Sequence, residues 1–141
     1  MGEDQGSTKS RILIVEDSEA TRQLLEMCLV RYDYQLTSCA TGPSGLEAAL
    51  NQHFDLLLLD IALPGIDGWE ILRQVRADAT RSKLPVIVLT AHHDTTVTKD
   101  GPLLESIQGF IPKPFDISDL EATIATVLAE TRDTQPEPEI L

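Results

Sequence analysis

Phe54-Asp55-Leu56-Leu57-Leu58-Leu59-Asp60 and the following Ile61-Ala62-Leu63-Pro64-Gly65-Ile66-Asp67-Gly68 decide the fold. Four leucines run without alternation and then meet an acid. A short continuous apolar run bounded by turn residues reads as a strand buried on both faces. Leucine is a modest strand former, so periodicity alone also allows a segment of buried helix. Length settles the matter, because the run is too short for a helix and Pro64 and Gly65 stop it. Asp60 therefore stands where a central strand leaves the core. Ligands of open parallel sheets bind outside the carboxyl ends of the strands. An acid there is either a site residue or a cap for the next turn.

The chain of 141 residues is the length of one domain and is 42% hydrophobic and 24% charged, an ordinary globular balance. Its formal net charge is -12. Removing the first ten and last eleven residues takes away five acids and two bases, so the remaining charge is -9 and the acidity is not a property of tails. No basic patch is visible, which argues against nonspecific nucleic-acid binding. Cys28 and Cys39 stand at no metal-ligand spacing and read as small buried hydrophobes in a reducing compartment. The N-terminus is acidic and polar, unlike a signal peptide. Gly6 replaces the Ser or Thr of a myristoylation motif. No apolar run is long enough to span a bilayer. These features predict a soluble, cytoplasmic protein.

In order, residues 1–10 read as a disordered leader, 11–130 as the folded domain and 131–141 as an acidic disordered tail. Ile12-Leu13-Ile14-Val15 is a buried strand ending in Glu16-Asp17. Ser18 caps a helix with Leu24, Leu25, Cys28 and Leu29 inward. Tyr34–Cys39 reads as an edge strand. Thr41 caps a second helix, with Pro43 in its first turn and Leu46, Ala49 and Leu50 inward. The leucine strand follows, then a helix with Trp69, Leu72 and Val75 on one face. Pro85-Val86-Ile87-Val88-Leu89 is a strand ending in Thr90. Phe110-Ile111 centres the last strand, before Pro112-Lys113-Pro114. Asp116 caps a final helix with Leu120, Ile124, Val127 and Leu128 inward. Five alternations of strand and helix predict a doubly wound parallel sheet with right-handed crossovers.

In such a sheet the carboxyl ends of all strands share one rim. Glu16, Asp17, Asp60, Thr90 and Lys113 would converge there. Close carboxylates repel by roughly 4 kcal/mol per pair at an effective dielectric near 20. A hard divalent cation relieves that repulsion, and Mg²⁺ suits a site with one or two carboxylates, waters and phosphate oxygens. Asp60 can then attack a phosphoryl group to give an aspartyl phosphate. Lys113 and the metal would neutralise the phosphoryl oxygens, and the Thr90 hydroxyl would donate to one.

Glu16-Asp17 after a strand, Asp60 with Pro64, Asp67 and Gly68, Thr90-Ala91 and Lys113-Pro114-Phe115, in this order, resemble the receiver domain of bacterial two-component response regulators, including single-domain chemotaxis-type regulators. The resemblance covers about residues 10–130. It implies the flavodoxin-like receiver fold, a five-stranded parallel sheet of order 2-1-3-4-5 with five helices. Asp60 would be the phosphoacceptor, Asp17 a direct Mg²⁺ ligand, Glu16 a water-mediated one and the Ala62 carbonyl another. Phe110 would be the aromatic switch residue acting with Thr90, and the Lys113-Pro114 bond would be cis. The implied partners are a sensor histidine kinase or histidine phosphotransfer protein upstream and a protein target downstream, with neither nucleic acid nor membrane. The length leaves no room for an output domain, which predicts a stand-alone switch. A phosphorelay intermediate or a phosphate sink fits the same residues.

Trp69 reads as core, His53 as surface and His93 as solvated. His92, with Ala62, stands where receivers tune the lifetime of the phosphoryl group. It would shield the reacting face, orient a water there, or be merely solvated. A magnesium-dependent aspartyl phosphatase wants a second acid where Ala62 stands. A nucleotide-binding module wants a glycine-rich loop after the first strand. A fold that only binds partners would not need the intact acids. The chain departs from the family at Asp94-Thr95-Thr96-Val97-Thr98-Lys99-Asp100-Gly101-Pro102. These residues disfavour a helix, which predicts a loop and then a short helix over about 102–107 with Pro102 in its first turn.

Overall fold

The computed structural model describes residues 9–91 and 101–134, with side chains placed for 9–90 and 101–131. His92, His93 and the departure at 94–100 lie outside the described residues, as do 1–8 and 135–141 of the expected leader and tail.

The element order is β1 (Ser10–Val15), α1 (Glu19–Leu29), β2 (Tyr34–Cys39), α2 (Gly42–Asn51), β3 (Leu56–Asp60), α3 (Gly68–Ala77), β4 (Val86–Ala91), α4 (Gly101–Glu105), β5 (Gly109–Lys113) and α5 (Ile117–Thr134). All five strands are parallel, in the order β2-β1-β3-β4-β5. This is the doubly wound sheet that the alternation predicts. β2 is an edge strand, as expected, and β3 is buried along its whole length. β1 starts at Ser10, inside the stretch expected to be leader. α5 runs on to Thr134, into the stretch expected to be tail.

Two apolar layers sandwich the sheet. Ile12, Ile14, Leu56, Leu58, Ile87, Leu89 and Ile111 pack under α1 and α5. Leu13, Val15, Leu57, Leu59, Val86 and Val88 pack under α2, α3 and α4. The unbroken leucine run is thus explained: each face of β3 has its own helix layer to fill. Trp69 is core, 6% exposed.

The helix caps are those the sequence offers. Ser18, Thr41 and Asp116 each accept a backbone N–H of the following turn, satisfying donors that a helix start leaves open. Asp67 caps α3 in the same way, through the Trp69 N–H. Two expected apolar stripes are narrower than predicted. Leu24 is 41% exposed, and only Leu25 and Leu29 of α1 are buried. Leu24 lies about 120° around the helix from the Leu25–Leu29 line, so the flat sheet does not reach it. In α2 the small residues Gly45, Ala48 and Ala49 are buried, and Leu46 and Leu50 only flank them. The described span of α4 is Gly101–Glu105, which includes Pro102 and ends short of Ile107.

The loop after β3 needs two glycines. Gly65 has φ +88°, a backbone that side chains resist. At Gly68 a Cβ would lie 2.4 Å from the Ile61 Cα and 2.8 Å from the Asp60 carbonyl oxygen. Both obstacles are backbone, so α3 starts against the chain that carries Asp60. Gly68→Ala is expected to cost about 1–3 kcal/mol, the usual range for overpacking. Gly101→Ala, with open space around the added methyl, should be neutral or slightly stabilising. Urea melts of the two variants check this. Equal midpoints would remove the steric argument.

Candidate functional site

The register of the sheet builds the site. Val15 pairs with Leu59, which puts Glu16 beside Asp60. Asp60 pairs with Leu89, one residue before Thr90, and Ala91 pairs with Lys113. Four strand ends therefore deliver Glu16, Asp17, Asp60, Thr90 and Lys113 to one rim, as the sequence predicts.

Glu16 and Asp60 are buried, with side chains 1% and 3% exposed, while Asp17 is exposed. The three acids each offer an oxygen within 4.8 Å of the others. Lys113 Nζ lies 2.8 Å from Glu16 Oε1 and 3.2 Å from Asp60 Oδ2. The remaining oxygens take backbone donors: Ser18 N–H to Glu16 Oε2 at 3.0 Å, and Ala62 N–H to Asp60 Oδ1 at 2.9 Å. The Asp17 carboxylate has no such partner among the described residues. Thr90 is buried at the end of β4. Phe110 is 44% exposed on β5. It pairs with Val88, so it shares a sheet face with Thr90. The Lys113-Pro114 bond is cis.

Electrostatics follow from burial and charge count. Desolvation pushes the Glu16 carboxyl up, aided by Asp60 and opposed by Lys113 and the Ser18 N–H. Burial alone would push the Lys113 ammonium down, but its bonds to Glu16 and Asp60 and their charges raise it overall. One ammonium thus faces three carboxylates. Hard oxygen donors at this spacing, with a negative charge in excess, fit a hard divalent cation such as Mg²⁺. Among the described residues no thiolate or imidazole stands with them, as a soft metal would want.

Sequence reasoning missed Arg22. Its Nη1 donates to the carbonyl oxygens of Glu16 at 2.9 Å and Asp17 at 3.2 Å. The only sequence signal was a long cationic side chain one helical turn after the Ser18 cap.

A family model described as the response regulator receiver domain matches residues 12–125. The response regulator ArlR of Staphylococcus aureus (strain NCTC 8325) is 36% identical over 132 residues. That match covers 94% of this chain and 57% of ArlR, so the chain spans little more than half the length of this curated relative. Among solved structures, a CheY-like response regulator receiver domain protein from Methanospirillum hungatei JF-1 superposes with a TM-score of 0.80 at 28% identity, covering 91% of this chain and 100% of that one. The receiver domain of the sensor histidine kinase PA1611 from Pseudomonas aeruginosa PAO1, with a magnesium ion coordinated in its active-site cleft, gives 0.74 at 27% identity over 86% and 99% of the two chains.

Removing Lys113 strands two buried carboxylates. Lys113→Ala is expected to lower stability at neutral pH by on the order of 2–3 kcal/mol, less than for a fully buried pair because Lys113 is 24% exposed. The sign with pH is fixed by Glu16. Its folded pKa is raised, so its ionised form is the one that burial penalises. The deficit should therefore shrink as the pH falls through the Glu16 range, where protonation removes one of the stranded charges. Thermal melts of both proteins from pH 7 to pH 4 measure it. A deficit constant over that range would contradict this charge balance.

Proposed function

The chain belongs to the response regulator receiver domain family, and from that premise we propose that Asp60 accepts a phosphoryl group from a phosphohistidine of a sensor kinase or histidine phosphotransfer protein. The observation that carries this reading is Asp60 itself: a carboxylate buried at a strand end, held at one oxygen by a backbone N–H and at the other by Lys113, with two further acids beside it. Such an acid is oriented rather than solvated, as an attacking group must be.

In the proposed transfer an Asp60 oxygen attacks phosphorus as the donor's P–N bond breaks. The electron pair returns to the imidazole nitrogen, which takes up a proton, and an acyl phosphate remains on Asp60. Lys113 stands where it would bind a phosphoryl oxygen as its contact with Asp60 is replaced. The Thr90 hydroxyl, at the adjacent strand end, would donate to another. Asp17, Glu16, Asp60 and the Ala62 carbonyl would hold Mg²⁺, which supplies positive charge against the phosphoryl oxygens. Ala62 is exposed, and with no side chain beyond Cβ it leaves the reacting face open to water. The phosphatase reading finds no second acid there.

Output would follow from Thr90 and Phe110. They share a sheet face on neighbouring strands, so a Thr90 drawn toward the phosphoryl group would vacate space into which Phe110 turns. That biases a two-state surface for a downstream protein. The helix that starts at the acid pair supports docking of a helical donor. Leu24, Met27 and Val30 of the α1 region are exposed on the side away from the core. The proposed partners put the protein in the cytoplasm, and no helix among the described residues is long and apolar enough to cross a membrane. One structural neighbour is a receiver joined to a sensor kinase, which favours, as a second reading, a phosphorelay intermediate.

Acetyl phosphate with Mg²⁺ should add one phosphoryl group that hydroxylamine removes, and Asp60→Asn should abolish it. Intact-mass measurement decides, and labelling that persists in the variant would sink the assignment. Transfer onward to a histidine phosphotransfer protein distinguishes the relay from a terminal switch. Millimolar Mg²⁺ should also raise the melting temperature, because a ligand of the folded state stabilises it by mass action. Asp17→Asn should lessen that rise, and an equal rise in both proteins would contradict the ligand set.

A further inference from the structure

Two of the three clustered carboxylates are held at their tips. Glu16 has Lys113 on one oxygen and the Ser18 N–H on the other. Asp60 has the Ala62 N–H and Lys113. Asp17 has neither kind of support: it is exposed, and its carboxylate has no hydrogen bond or ion pair among the described residues. What is held at Asp17 is its backbone.

That backbone is gripped by one side chain. Arg22 Nη1 donates to the Glu16 carbonyl at 2.9 Å and to the Asp17 carbonyl at 3.2 Å, so a single nitrogen holds the peptide groups on both sides of the Asp17 Cα. The root of Arg22 is fixed as well, since its own N–H bonds the Ser18 carbonyl at 2.9 Å in the turn that Ser18 caps. The Arg22 guanidinium makes no ion pair with Glu16, Asp17 or Asp60. Its contacts are to carbonyls, not to charge.

We propose that Arg22 is a positioning residue for the metal site: by holding the two carbonyls that flank Asp17 it aims that carboxylate into the cluster, and so sets the affinity for a divalent cation. The proposal rests on the reading of Asp17 as a ligand. It runs against the simple charge argument. A cation near three carboxylates should repel a second cation, so on charge alone Arg22→Ala would bind Mg²⁺ more tightly. If the grip on the turn dominates, the same variant binds it more weakly, because the ligand must be ordered at the moment of binding.

Calorimetric Mg²⁺ titration of the whole chain separates the two. Arg22→Ala should weaken binding by about tenfold, the lower end for loss of a group that orients a ligand. Arg22→Lys should recover most of the affinity, since one nitrogen reaches both carbonyls. In the Asp17→Asn background Arg22→Ala should cause no further loss, because the group it aims is gone. With acetyl phosphate, the rate deficit of Arg22→Ala should close at saturating Mg²⁺. Unchanged or tighter binding in Arg22→Ala, no recovery in Arg22→Lys, or the same loss in the Asp17→Asn background would overturn the proposal. Weakened binding in Asp17→Asn with full affinity in Arg22→Ala overturns it while leaving the ligand reading intact. Full affinity in Asp17→Asn takes both down together.

Discussion

One ammonium between two buried carboxylates is the constraint on which the rest of the site depends. Lys113 ends β5, Asp60 ends β3 and Glu16 follows β1, and between β3 and β5 stands β4. No local turn could bring these three together. A parallel sheet does so because every strand points the same way and releases its last residue at the same rim. Burying two carboxylates is costly unless each lone pair has a partner. The partners come from backbone N–H groups of the turns that leave the strands, at Ser18 and Ala62. The turns are thus shaped by the charges that they carry. Gly68, packed against Ile61 and the Asp60 carbonyl, is part of that shape.

The pairing is incomplete by design of its charge count. Two of the three acids share one lysine, and Asp17 stands outside that pairing. Lys113 holds Glu16 and Asp60 in place while leaving a negative excess at the solvent side.

Much of this was legible in the sequence because it is one-dimensional information. An apolar run ends at a definite residue, and whatever follows lies at a strand end, which is why Asp60, Glu16, Asp17, Thr90 and Lys113 could be placed on one rim. Helix caps were legible for the same reason. Azimuth was less so. Leu24 fits an apolar stripe by spacing, yet how far a sheet wraps around a helix is set by the neighbouring elements, and the small residues of α2 let that helix sit closer than its leucines suggest. Contacts made by long side chains to backbone carbonyls were invisible, because carbonyls carry no sequence label. Arg22 is one such case and Arg76 is another.

Arg76 shows how the same physics works away from the site. Its guanidinium is half-buried, and burial lowers its pKa. It bonds the Ser82 and Leu84 carbonyls before β4, and Ser106 through both Oγ and the carbonyl. The Gln108 side-chain Oε1 accepts the Val86 N–H, and the Gln108 backbone N–H donates to the Val86 carbonyl. The end of the short α4 is therefore fastened to the entrance of β4, at the edge opposite the rim. Along β5, Phe110 and Pro112 are exposed, while Ile111 between them is buried under α5. β5 is held at both ends: Arg76 and Gln108 fasten the junction before it, and Lys113 ties its far end to the acids.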